Sequence, residues 1–323
     1  AYHCTLCGRC RESCPFGFET HELWIRIREI VEAMGTTPEN VARLSNMLDE
    51  NMNPYGQDPD TRLDWSFYVD IDEVPEEDEA DIAYFIGCTT AYKGANHEVA
   101  FSISKILESL DVSWTVLGED EWCCGAPSMM AGKVEEAKKY AEHNVKMLED
   151  RKVKKVITGC AGCFRSFKFE YPALLGRKPN FEIQHSVEFL RDQLAEGKLD
   201  LEKGDETIIY HDPCELGRLS GIIKEPREAL SYLTSNQIEF DENGIDSKCC
   251  GGGGLLQGVN NDMRLDIVKI KLEEALAKNA DILVSACPAC KLAFVDGARE
   301  HEIELEIRDI HEIVAKRFGV LEE

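Results

Sequence analysis

Ten of the fourteen cysteines fall into two sets that repeat one spacing, and this repeat narrows the possible folds further than any other feature. The first set is Cys88, the pair Cys123-Cys124 followed by Gly125, and then Cys160-Ala-Gly-Cys163. The second is Cys214, the pair Cys249-Cys250 followed by Gly251, and then Cys287-Pro-Ala-Cys290. Each cysteine of the second set lies 126 or 127 positions after its counterpart, so a single duplication accounts for all ten. The flanks repeat too. Ile82-Ala-Tyr-Phe-Ile-Gly before Cys88 matches Thr207-Ile-Ile-Tyr-His-Asp-Pro before Cys214, and Lys155-Val-Ile-Thr-Gly before Cys160 matches Ile282-Leu-Val-Ser-Ala before Cys287. These short apolar runs read as buried parallel strands with a cysteine just past each carboxyl end, where open α/β sheets bind their ligands. The amphipathic stretches His97 to Leu110, Val134 to Leu148 and Asp262 to Lys278 read as intervening helices.

Fourteen cysteines in a chain of 323 residues that opens without a charged-then-apolar leader point to metal or redox chemistry, not to a disulfide framework. The first four form Cys4-Thr-Leu-Cys7-Gly-Arg-Cys10-Arg-Glu-Ser-Cys14-Pro15, the C-x2-C-x2-C-x3-C-P run of bacterial ferredoxins. Cys4, Cys7 and Cys10 are spaced to wrap one [4Fe–4S] cube, whereas zinc sites use two separated pairs. In two-cluster ferredoxins the fourth cysteine of such a run serves the other cluster. No second run follows here, so an upstream run or a partner subunit is expected to complete the arrangement; the alternative is that Cys14 closes the same cube.

A cubane takes four protein ligands, so five cysteines per set imply something other than a plain cube. Adjacent cysteines point to opposite sides of an extended chain, but a tight turn at the following glycine can turn both sulfurs to one metal group. The run Gly251 to Gly254 is not a phosphate-binding loop, because no Gly-Lys-Ser/Thr follows it. Structural zinc would use the Cys-x2-Cys elements and leave the lone and double cysteines unexplained. A redox dithiol at Cys160/Cys163 and Cys287/Cys290 is the minor alternative.

With 36 basic against 61 acidic side chains, the formal charge of −25 argues against nucleic acid and anionic membrane surfaces as partners. No stretch approaches the roughly 18 apolar residues of a membrane helix, so a soluble cytoplasmic chain is expected, at a membrane only through a partner subunit. Four segments are expected: a cluster region with helices over 1–68, including an amphipathic helix from Trp24 to Met34; an acidic linker over 69–81 with Glu73, Glu76, Glu77, Asp78, Glu79 and Asp81; and repeats over 82–200 and 201–323.

The spacings C-x34-C-C-G-x34-C-x2-C (Cys88 to Cys163) and C-x34-C-C-G-x35-C-x2-C (Cys214 to Cys290) resemble the CCG domain. With the ferredoxin-like run upstream, and with His211-Asp-Pro-Cys214-Glu-Leu-Gly-Arg218 and Glu225-Pro-Arg227 as subsidiary matches, the chain resembles the D-type subunit of heterodisulfide reductase, which fuses C-type and B-type subunits. The resemblance implies an α/β fold: a small α-helical ferredoxin-like region, then two duplicated CCG domains related by pseudo-twofold symmetry. It further implies two noncubane [4Fe–4S] clusters. One would be held by Cys88, Cys123, Cys124, Cys160 and Cys163, the other by Cys214, Cys249, Cys250, Cys287 and Cys290. A heterodisulfide such as that of coenzymes M and B would be cleaved between them, with electrons entering through the cubane at Cys4, Cys7, Cys10 and Cys14 from a flavoprotein, a ferredoxin-like protein or a membrane cytochrome subunit. The architecture also resembles the electron-relay subunit of flavin-dependent 2-hydroxyacid or glycerol-3-phosphate dehydrogenase complexes. An anionic disulfide calls for cations, and Arg165, Lys168, Arg218, Lys224 and Lys291 lie near ligands in sequence. His211 is a candidate proton donor to a departing thiolate, and Trp122 and Phe164 are candidate apolar cover.

Overall fold

The computed structural model describes residues 1–69, 71 and 74–319. The first repeat folds into β1 (Ile82–Tyr84), β2 (Trp114–Thr115), β3 (Lys155–Thr158) and β4 (Glu182–His185), a parallel sheet in the order β2-β1-β3-β4. The second folds into β5 (Gly204–His211), β6 (Thr234–Glu239), β7 (Ile282–Ser285) and β8 (Glu306–Asp309) in the equivalent order β6-β5-β7-β8. Even the register is duplicated: Ile82 lies opposite Lys155, and their counterparts Ile208 and Ile282 lie opposite each other. Helices cover both faces of each sheet, which is why β1 and β7 are buried along their whole length.

The helices His97–Ser109, Val134–Asp150 and Asn261–Ala277 fall where the apolar periodicity places them. The outer strands β2, β4, β6 and β8 carry no such signal, since Trp114–Thr115 is only two residues long and Glu182–His185 alternates polar and apolar at a half-exposed edge. The handover from the last strand of each half is also duplicated. His185 Nδ1 accepts from the Val187 amide at 3.2 Å, and Asp309 Oδ1 accepts from the His311 amide at 3.0 Å. Both caps are completed by a glutamate three residues on, Glu188 or Glu312, which accepts from the cap's own amide.

The two repeats share an apolar core. Helix Ser186–Ala195 packs on Lys224–Leu233 and helix His97–Ser109 on Ile310–Arg317, so that Val187, Leu190, Leu230, Leu233 and Ile310 belong to one continuous cluster. This shared core holds the carboxyl ends of the two sheets in a fixed relation. Of the acidic linker, the Val116 amide donates to Pro75 at 2.9 Å and the Glu77 amide to Thr115 Oγ1 at 2.8 Å, which lays the segment along β2. Glu73, also assigned to the linker, lies outside the described residues, as do residues 320–323 at the end of the second repeat.

Residues before Val69 are helical and carry no strand, the longest helices being Thr20–Ala33 and Glu39–Asn51. The amphipathic helix packs only one stripe: Ile25 and Arg28 are buried, whereas Ile30 and Met34 are exposed. Arg28 is fully buried and is the buckle of the region. One of its nitrogens donates to the carbonyls of Met130 at 2.7 Å and Gly254 at 3.0 Å, and the other to Ala1 at 3.2 Å and Cys4 at 2.7 Å, while the guanidinium lies over Tyr2. It therefore ties the first cysteine loop to both repeats. Among the described residues no helix is long and apolar enough to cross a membrane.

Replacing Arg28 with Met removes these four bonds, at a net loss of about 2 kcal/mol after the relief of burying the charge is allowed for. Hydrogen exchange over residues 1–14 is expected to speed up by about 30-fold, with protection of β1, β3, β5 and β7 unchanged. Uniform loss of protection would show that Arg28 supports the whole fold instead.

Candidate functional site

The cysteines after the second central strand of each half are positioned by the same device, whereas Cys214, the counterpart of Cys88, sits in a run of turns. Cys88 opens a short helix after β1, Cys160 caps the helix after β3, and Cys287 caps the helix Pro288–Glu300 after β7. Cys163 and Cys290 follow one turn into their helices. The double cysteines turn into the same space because the next residue adopts positive φ, +79° at Gly125 and +82° at Gly251. A Cβ would stand 3.2 Å from the Ala137 carbonyl oxygen at Gly125 and 2.9 Å from that of Arg264 at Gly251, so glycine is required by space as well as by torsion. Further along the run, a Cβ on Gly253 would lie 2.9 Å from the Thr5 carbonyl oxygen, and the run lets the first cysteine loop approach.

The ten thiols form one row. Neighbours along it interact in the order Cys88, Cys123, Cys124, Cys163, Cys160, Cys287, Cys290, Cys250, Cys249, Cys214. The row reads the same from either end in terms of the repeat, with the equivalent residues Cys160 and Cys287 meeting at its centre. Cys250 Sγ and Cys290 Sγ are hydrogen-bonded, 3.2 Å apart. Sharing protons between neighbours, reinforced by burial, pushes the pKa of Cys123, Cys163, Cys214 and Cys290 well up. The same sharing lowers it at the accepting Cys88, Cys124, Cys250 and Cys287.

Cys7 joins the row beside Cys249, and that neighbour together with burial raises its pKa. Cys4 feels the charges of Cys7 and Cys10. Cys14 accepts instead from the amides of Phe18, Phe16 and Gly17, which lower its pKa. Eleven connected soft donors with no carboxylate among them suit iron–sulfur or another thiophilic metal chemistry and not a hard cation.

Nine of the ten repeat cysteines line one cavity of about 440 Å³, a size that suits a small ligand. Its walls are apolar at Leu44, Met47, Leu255 and Leu292, and its cationic side chains are Lys93 and Arg264. The Lys93 ammonium sits 4.1 Å over the Tyr55 ring and has no carboxylate partner among the described residues, whereas Arg264 pairs with Asp296 at 3.0 Å.

None of the cations expected from the sequence lines this cavity. Arg165 pairs with Glu170 and, at 3.5 Å, with Glu215. Lys291 is buried against Glu312 at 2.5 Å, and burial pushes the Glu312 carboxyl up to about 7. Lys168 and Lys224 are exposed. Arg218 is spent on backbone, donating to the carbonyls of Cys7 at 2.8 Å, Ile245 at 2.7 Å and Ser247, and so docks the first cysteine loop on the second repeat. Proximity along the chain misleads here because one residue along a helix turns a side chain by about 100°; Lys291 follows Cys290 and is turned instead to Glu312. His211 is buried beside Cys250 and Cys290, with its pKa lowered to about 3, mainly by burial. Trp122 packs on Cys88 and Cys123 and stacks on His143 at 3.7 Å, while Phe164 is buried in the shared core. Lys93 follows Cys88 closely enough to have been found by the same criterion, but nothing in the sequence sets it apart.

A residue with no sequence signal at all is Arg62. It is buried with Glu121, 2.8 Å away, lies over Tyr92, and donates to Cys88 Sγ at 3.7 Å. Glu121 also accepts from the amides of Ile86 and Gly87, both at 2.8 Å, which fixes the end of β1 beside the cysteine pair. Burial opposes the Arg62 charge, but Cys88 and Glu121 outweigh it and raise its pKa.

The fold and the cysteine row define a cysteine-rich, duplicated α/β protein, and comparison with known proteins agrees. The family model described as Cysteine-rich domain, CCG, matches residues 82–168 and again 208–295. The chain is 38% identical over 323 residues to the D-type subunit of the dihydromethanophenazine:CoB–CoM heterodisulfide reductase of Methanosarcina acetivorans, a match covering 98% of this chain and 78% of that protein. It is 28% identical to the probable iron-sulfur-binding oxidoreductase FadF of Bacillus subtilis and to an EtfAB:quinone oxidoreductase of Syntrophomonas wolfei, spanning 97% and 98% of this chain but 46% of each relative. A hypothetical protein from Helicobacter pylori shares the fold with a TM-score of 0.56 at 11% identity, over 79% of this chain and 54% of that one. The chain belongs to the CCG family of iron–sulfur proteins and is an oxidoreductase resembling the D-type subunit of heterodisulfide reductase.

Replacing Arg62 with Met strands the buried Glu121 carboxylate, and a loss of roughly 3–5 kcal/mol in apparent stability is expected from chemical denaturation of the anaerobic protein. Adding Glu121→Gln should recover part of it. A single-variant loss below about 1 kcal/mol would mean that the pair behaves as a solvated one.

Proposed function

We propose that the cavity between the two five-cysteine sets is the site where a small disulfide is reductively cleaved, according to R–S–S–R′ + 2 e⁻ + 2 H⁺ → RSH + R′SH. The observation that carries this reading is that two equivalent sets face one cavity, the first with all five cysteines and the second with four. Splitting a disulfide takes two electrons, whereas an iron–sulfur centre passes one, and two equivalent sites on either side of the substrate meet that need. In this reading Cys88, Cys123, Cys124, Cys160 and Cys163 hold one noncubane [4Fe–4S] cluster, and Cys214, Cys249, Cys250, Cys287 and Cys290 the other. Cys4, Cys7 and Cys10 hold a cubane, with Cys14 left to complete it or to serve a neighbouring one. Bound clusters supply single electrons and a place for each sulfur to rest as the S–S bond breaks.

The chain's own residues do the remaining work. Lys93 attracts an anionic substituent of the substrate at the cavity wall, and Arg264, half neutralised by Asp296, adds a weaker pull. Leu44, Met47, Leu255 and Leu292 keep water from the sulfurs. The contact of Cys7 with Cys249 brings the electron-input loop to the second set, and Arg218 holds that loop in place through the Cys7 carbonyl. The likeness to one component of a multi-subunit reductase supports partner subunits as the electron source, a flavoprotein, a ferredoxin-like protein or a membrane cytochrome among them. A relay role within a flavoprotein oxidoreductase is the second reading, favoured by the likeness to the EtfAB:quinone oxidoreductase.

Anaerobic paramagnetic resonance with a thiol titration separates the two. Signals that change on adding coenzyme M place substrate at the five-cysteine sets, whereas signals indifferent to every thiol and disulfide leave only the relay. If the first reading holds, Lys93→Ala should raise KM about tenfold, equivalent to ~1.4 kcal/mol, with kcat nearly unchanged. An unchanged KM removes Lys93 from the substrate site.

A further inference from the structure

The two halves match closely around their cysteines, and one position where they differ stands directly against the sulfurs. Phe85, at the end of β1, packs edge-on against Phe167 with ring centres 4.8 Å apart. Its counterpart 126 positions on is His211, at the end of β5, which packs edge-on against Phe294, the counterpart of Phe167, at 4.9 Å. The two aromatic pairs are the same construction, so packing explains the ring at both positions. It does not explain the nitrogens.

His211 is only 1% exposed, and neither ring nitrogen has a hydrogen-bond partner among the described residues. A ring nitrogen of His211 and the sulfurs of Cys250 and Cys290 all lie within 4.8 Å of one another. An imidazole always carries at least one N–H, and leaving it buried without an acceptor is costly. The acceptors within reach are sulfurs of the second set. Direct metal ligation by His211 is not needed to complete the site, because the first half has the same five cysteines and a phenyl ring in this place.

We propose that His211 is a positioning and tuning residue which donates an N–H···S hydrogen bond to the metal group held by the second cysteine set, so that the two sets differ in reduction potential. This rests on the proposed cluster at Cys214, Cys249, Cys250, Cys287 and Cys290. Hydrogen bonds to cluster sulfurs favour the reduced, more negative form and raise the potential. The second set is therefore the more easily reduced of the two as far as this bond decides, and it is also the set that Cys7 touches.

The test is a redox titration followed by paramagnetic resonance on the anaerobically purified chain and on His211→Phe, which copies the first half and so preserves packing. With iron content unchanged, one five-cysteine signal should move to lower potential by about a tenfold change in its reduced-to-oxidised ratio at fixed potential, about 59 mV for one electron, while the other stays. His211→Gln, which keeps a donor, should recover part of the shift, and Phe85→His should raise the potential of the other signal. No shift in His211→Phe, or an equal shift of both signals, overturns the inference. So does strong ¹⁴N coupling in the unsubstituted protein, which would make His211 a ligand. If Cys249→Ser and Cys250→Ser leave the iron content and both signals unaltered, the underlying cluster assignment fails, independently of His211.

Discussion

Ten thiols from two halves of one chain meet in a single, mostly buried row, and most of the architecture can be traced to what that meeting requires. A parallel sheet delivers its loops at one end only. To bring two such ends together, the two sheets must face each other across their carboxyl edges and be locked there. The shared core does the locking, since helices from each repeat pack on helices of the other. Glycines at the double cysteines permit the turn, and glycines further on admit the first loop. Such a row, with proton sharing its only internal relief, is a poor resting arrangement for thiols. Metal binding discharges those protons and makes occupancy part of the folding free energy.

Duplication gave both halves the same frame, but the polar surroundings of the two sets are not the same. At the first set the ion pair of Arg62 with Glu121 stands against Cys88 and the end of β1. At the second, Ser247 occupies the position equivalent to Glu121, and Arg218 binds its carbonyl along with that of Cys7. Each set thus has a buried arginine, used in one case to charge the site and in the other to fasten a neighbouring loop. The −25 formal charge makes such placements matter, because a buried anionic group depends on cations close by.

The repeat, the four central strands and the long helices were legible from residue types alone, since burial on both faces writes continuous apolar runs and amphipathic covering writes a helical period. Cys88 to Cys290 could be grouped from spacing, because each strand–loop–helix unit holds its cysteines at fixed offsets. The cations at the cavity could not. Lys93 and Arg264 are set apart from Lys291 or Arg165 only by the direction in which the folded backbone points them, and Arg62 reaches its cysteine across 26 positions of chain through packing that no local pattern announces. The outer strands were silent for a related reason: half-exposed edges carry mixed residues whichever structure they adopt.

The N-terminal region is not an appendage that could be exchanged for another segment of similar size. Arg62 belongs to it and reaches the first cysteine set; Cys7 belongs to it and reaches the second. Arg28 closes the loop between them by binding carbonyls from Cys4, Met130 and Gly254, one from each of the three parts of the chain. Disturbance at any of these contacts is transmitted to a thiol within one or two bonds. The first cysteine loop and the cavity are thus physically linked through the buried side chains of Arg28, Arg62 and Arg218.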